Sequence, residues 1–133
     1  MLRFAFGVFL IAHGLIHAAI WLPQVASRSA PASGTAPFDP GYSWLFSGVS
    51  EDASRWLAAL LAIVAAALCI SGAVGLFTHL EWWRAVTVAA SVSSLALFAL
   101  YFNPWLSLAV LIDVALVWAL VWVHWPSAAQ VGV

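Results

Sequence analysis

Gly7-Val8-Phe9-Leu10-Ile11-Ala12-His13-Gly14-Leu15-Ile16-His17 lies inside an apolar run, residues 4–22, that holds no Asp, Glu, Lys or Arg. A helix needs about 20 apolar residues, range about 17–25, to cross a bilayer. Lipid offers the backbone no outside partner, so such a run satisfies its own N–H and C=O groups as a helix. On that helix His13 and His17 stand at i and i+4, on one face and about one turn apart. Gly7 and Gly14 mark a face where a second helix can come close.

Three more runs have the same character: residues 56–77, 85–102 and 105–123. Of the four, only the last holds a carboxylate or strong base, Asp113. The whole chain of 133 residues is 65 % hydrophobic and 7 % charged. Soluble domains carry roughly 25 % charged residues. The reading is an all-α integral membrane protein, four transmembrane helices in an up-down antiparallel bundle. It forms one domain, residues 1–133, with helices at about 3–22, 51–77, 82–102 and 105–125 and a long external loop at 23–50. The first run exceeds the about 7–15 apolar residues of a signal-peptide core, so it is expected to stay as a span.

Tryptophans bracket the runs: Trp21, Trp56, Trp82, Trp83, Trp105, Trp122 and Trp125. Their amphipathic rings favour the water–lipid boundary. Trp118 lies deeper and is expected to pack. Residues 23–37 are rich in Ser, Ala and Pro and are expected to be flexible. Asp39-Pro40-Gly41 signals a turn. Tyr42, Trp44, Leu45 and Phe46 are too apolar for a free linker, so this piece is predicted to lie on the membrane or cap the bundle. Ser50 is the expected N-cap of the second helix, with Glu51 and Asp52 in its first turn. Small residues Ala58, Ala62, Ala66, Cys69, Gly72, Ala73 and Gly75 line that helix for close packing. Thr87, Ser91 and Ser94 form a hydroxyl stripe on the third.

Several classes are excluded. Net charge is −1, so no basic surface calls for nucleic acid. One cysteine allows no internal disulfide. No lysine is present, which excludes a Schiff-base cofactor such as retinal. The partner is the lipid bilayer, with other membrane subunits or a homo-oligomer as further candidates. Arg3, Arg84 and the α-amino group share one side, against Arg28 and Arg55, which tips both termini toward the cytoplasm.

Depth brings four polar residues together. His13 is nine residues from Leu22, and Asp113 is eight from Trp105 on the same face of the membrane. At about 1.5 Å per residue these depths are about 13 and 12 Å. Ser94 lies at about 12 Å in the third helix, with His17 one turn nearer the surface. Helices 1 and 4 neighbour each other in an up-down bundle, so Asp113 is predicted to contact His13 or His17. Three readings of this layer stand. His13, His17 and Asp113 bind one divalent metal. Alternatively, His13, Gly14, His17, Ser94 and Asp113 receive a quinone, sterol or lipid head group. Or the layer is an interhelical clamp. His79 and His124 are expected to be solvated at the opposite surface. Arg55 is expected to pair with Glu51 or Asp52 at a helix end.

Arg3, Gly7, His13 and Gly14, with Leu10, Leu15 and the four-span layout, resemble the DoxX-like family of small bacterial membrane proteins. The first helix of that family often runs Arg, then Gly four on, then His-Gly six further on. The resemblance covers about the first 17 residues. The family usually continues with a lysine, and here His17 occupies that neighbourhood. Some members are subunits of quinone-linked sulfur oxidation or partners of redox enzymes. The resemblance implies a bacterial inner-membrane protein with an accessory or quinone-linked role, in which His13 and Gly14 are the motif positions.

Overall fold

A computed structural model describes residues 1–26, 39–46 and 48–132. It is helical, with no strand among the described residues. The main helices are α1 (Leu2–Ala26), α2 (Glu51–Phe77), α3 (Trp83–Leu100) and α4 (Ser107–Trp118). A 3-10 turn, Pro104–Leu106, leads into α4; a π turn, Ala119–Val123, continues it; and a single turn, α5 (Ala128–Val131), follows. Four segments are long and apolar enough to span: Leu2–Pro23, Glu51–Phe77, Trp83–Leu100 and Pro104–Val123. The chain is an all-α, multi-pass membrane bundle. Most of the flexible stretch expected at residues 23–37, with Arg28, lies outside the described residues.

α2 is the central helix. Its small residues Ala58, Ala62, Ala66, Cys69 and Ala73 are buried. Lipid is as apolar as leucine, so helices associate in it by close packing rather than by the hydrophobic effect. Gly14 shows how close. A Cβ there would lie 2.9 Å from Cys69 Cβ and 3.0 Å from the Ala66 carbonyl oxygen. On the other side of α2, Gly72 meets Thr87 of α3. Two apolar clusters fill the bundle. Phe6, Leu10, Leu76, Trp83, Leu116 and Leu120 form one, toward the termini. Trp21, Ala62, Leu97, Phe98, Tyr101 and Leu106 form the other, toward the long connection.

The helix ends differ in detail from the sequence reading. α1 runs past Pro23 to Ala26. Proline lacks an N–H and crowds residue i−4, but its fixed φ is helical, and one further turn is accommodated. α3 stops at Leu100, short of residue 102, because Tyr101 turns out of the helix at φ −128° and ψ 45°. Asn103 is extended, as a residue before proline prefers, and its side chain accepts from the Trp105 N–H. Trp21 and Trp83 lie in the core, where Trp21 packs on Phe98 and Tyr101 and Trp83 on Phe6. Trp118 turns outward and is 60 % exposed, not packed. Within the span the outer surface meets lipid, so a large apolar ring is at home there.

Polar contacts tie down the bundle end nearest the connection. Ser50 caps α2, accepting from the Ala53 N–H at 3.3 Å. Arg55 is buried against two carboxylates, Glu51 at 2.7 Å and Asp39 at 2.8 Å. The Asp39 partner replaces the expected Asp52 alternative and pins the turn to α2. Residues 42–46 cap α3. Ser43 Oγ donates to the Leu100 carbonyl and Trp44 Nε1 to that of Ala99, both at 2.7 Å. These are last-turn carbonyls with no partner inside the helix. Tyr101 Oη donates to the Ser54 carbonyl at 2.7 Å and lies 3.2 Å from Ser54 Oγ. Tyr101→Phe is expected to cost about 1 kcal/mol, the usual net worth of a buried hydrogen bond. Denaturant titration in detergent micelles checks this; an unchanged midpoint would remove the Tyr101 link from the account.

Candidate functional site

The polar layer lies between the two apolar clusters. His13 and His17 come from α1, Ser94 from α3 and Asp113 from α4, and all four are at most 5 % exposed. His13 Nε2 hydrogen-bonds Asp113 Oδ1 at 3.0 Å. Ser94 Oγ lies 2.5 Å from Asp113 Oδ2 and 3.1 Å from His17 Nε2. The chain of contacts therefore runs His13–Asp113–Ser94–His17. The two imidazoles meet edge to face, with centroids 4.9 Å apart. Helical spacing places them on one side of α1, while Gly14 faces α2. Gly14 thus sets how deeply the imidazoles sit and does not line the polar set.

Aromatic rings close the layer from both ends. Phe9 stacks on His13 at 5.8 Å and Phe98 packs on His17 at 5.7 Å. The sequence reading passed over both. Phe9 stands four residues before His13, so the same spacing that paired the histidines could have found it. Phe98 is four after Ser94 and was legible in the same way.

The hydroxyl stripe divides into three uses. Thr87 Oγ1 bonds its own helix at the Trp83 carbonyl, 2.8 Å away. Ser94 reaches across to α1 and α4. Ser91 Oγ is buried and has no hydrogen-bond partner among the described residues. His79 and His124 have separate partners: His79 contacts Arg3 and the Gly132 carbonyl, and His124 its own Trp122 carbonyl.

One atom each from His13, His17 and Asp113 lies within 4.8 Å of the other two. Metal–nitrogen and metal–oxygen bonds of about 2.0–2.2 Å set tetrahedral donor spacings near about 3.4 Å. The longest separation would close by at most about 1.4 Å, within reach of side-chain rotation. Fold and site define a multi-pass membrane protein with a buried His/His/Asp/Ser centre joining α1, α3 and α4. Comparison with protein-family models, curated proteins and solved structures gave no match.

Proposed function

We propose that the chain holds one divalent first-row transition-metal ion inside the membrane, on His13, His17 and Asp113, with the Ser94 hydroxyl beside it. The observation that carries this reading is the convergence of two imidazoles and a carboxylate within 4.8 Å. Imidazole and carboxylate together suit zinc and its neighbours.

Energetics favour it over a clamp. An aspartate at the bilayer centre costs about 2.5–3.5 kcal/mol on insertion scales. Interhelical hydrogen bonds return about 0.6 kcal/mol each on average. The three links of the layer would thus return about 2 kcal/mol and leave it near break-even. A bound ion would add coordination bonds to all three donors, and binding free energy of that kind is folding free energy. A quinone oxygen, the ligand suggested by the DoxX-like resemblance of α1, would have to displace Asp113 or Ser94 from an imidazole already bonded to it. A metal ion bonds both partners at once.

A bacterial inner membrane with cytoplasmic termini is part of the same proposal, supported by the DoxX-like resemblance of α1. Arg3, Arg84 and the α-amino group on the terminal side, against Arg28 and Arg55 on the other, support that orientation. The test is elemental analysis of detergent-purified protein from cells supplied with zinc, iron, copper and manganese. About one ion per chain is expected, with His13→Ala still folded by circular dichroism but metal-free. Metal-free wild type after supplementation would overturn the reading.

A further inference from the structure

At the opposite end from the capping segment, the start of α3 and the turn after α4 enclose a groove of about 310 Å³, lined by Glu81, Trp83, Arg84, His124, Ser127 and Ala128. That volume sits at the lower end of small-molecule sites, about 300–1,000 Å³. Trp82, Trp122 and Trp125, within two residues in sequence of its lining, are exposed. Such rings mark the level of lipid head groups.

The two charges in the groove stand apart. Arg84 Nη2 donates to the Pro126 carbonyl at 2.6 Å, and the guanidinium lies over Trp83, 5.4 Å from the ring centroid. This holds the side chain in place, and no carboxylate pairs with it among the described residues. Glu81 stands three residues earlier, exposed, and makes no ion pair or hydrogen bond among the described residues. It lies in the turn before α3, off the helix that carries Arg84. Here cation and anion line one groove without bridging. His124 and the Ser127 hydroxyl complete the wall.

We infer that this groove binds the phosphoethanolamine head group of a membrane phospholipid, phosphate on Arg84 and ammonium on Glu81. A guanidinium with free N–H groups matches phosphate oxygens in a bidentate fork. A primary ammonium has three donors for a carboxylate; a choline head group has none. A purely anionic lipid would meet Glu81 as a like charge. The site is separate from the metal centre and does not depend on it.

The test is thermal unfolding of the full chain in detergent with added phosphatidylethanolamine, phosphatidylcholine or phosphatidylglycerol. Phosphatidylethanolamine is expected to raise Tm by about 5 °C more than either of the others. Glu81→Gln should bring phosphatidylethanolamine down to the phosphatidylcholine response, and Arg84→Gln should abolish both. Equal shifts for all three lipids, or a preference surviving both substitutions, would overturn the assignment. Glu81 is exposed, so its variant stays informative if Arg84→Gln folds poorly. Glycerophosphoethanolamine, which lacks acyl chains, should leave Tm unmoved. A matching shift with it would assign the groove to a soluble phosphoethanolamine ester and not to lipid.

Discussion

Gly14→Leu is expected to unseat α1 from α2, to cost more than about 3 kcal/mol, and, on the proposed metal reading, to abolish metal binding in the same step. Overpacking a well-filled core costs about 1–3 kcal/mol when neighbours can shift. Here they cannot shift easily. The first atom of any side chain would stand 3.0 Å from a backbone carbonyl of α2 and 2.9 Å from a buried Cβ. Relief requires moving the helix, and His13 moves with it. Denaturant titration and elemental analysis on one preparation read both effects. Gly7→Ala is the control. Its Cβ would press on the Phe77 ring tip, at the last position of α2, and that ring can swing aside. A Gly14→Leu protein with the wild-type midpoint and full metal would show that the α1–α2 seam is looser than described.

Asp113→Asn is expected to separate metal binding from the hydrogen-bonded network. The amide keeps the shape. Its oxygen can accept from His13 Nε2–H, and its NH2 can donate to Ser94 Oγ. Ser94 then turns its own hydrogen to His17 Nε2. Every link survives with the Ser94 bonds reversed, so the metal-free protein should shift by less than about 1 kcal/mol. The charged ligand is gone, however. Changes one shell further out already cost about 10–100-fold in affinity, so a larger loss is expected here, seen as occupancy falling below about a tenth. Retained metal in Asp113→Asn would remove the carboxylate from the centre. Collapse of the metal-free variant would show that the carboxylate's charge itself holds the bundle.

Much of this was legible in sequence because a bilayer narrows the possibilities. Each apolar run had to be a helix, and each residue's depth followed from counting. That arithmetic brought His13, Ser94 and Asp113 to one layer without any side-chain geometry. What counting cannot supply is rotation about the helix axis. Trp21 and Trp118 show it: Trp21 was expected at the boundary and Trp118 packed, yet Trp21 turns into the core and Trp118 outward. Contacts between a connection and the bundle were also hidden. Asp39 read as a turn former, yet its carboxylate reaches Arg55. Gly14 read both as a close-approach position and, through the resemblance, as a motif position beside His13; it faces α2, since neighbours on a helix point about 100° apart.

The His13–Asp113 contact spans 100 residues, and the Ser94–Asp113 contact only 19. During synthesis both imidazoles therefore enter the membrane first and the hydroxyl third, with the carboxylate last. The seams of α1 with α2, and of α2 with α3, form at Gly14 and Gly72 without help from α4. The span Pro104–Val123 is only 22 % buried by the bundle, against 39 % for each of the others, and its mean hydropathy of 2.4 lets it insert alone. The chain is thus born as a three-helix receptor with two imidazoles and a hydroxyl waiting in lipid. Of the four spans the fourth is made last, and under the proposed metal reading an ion would latch it to the other three.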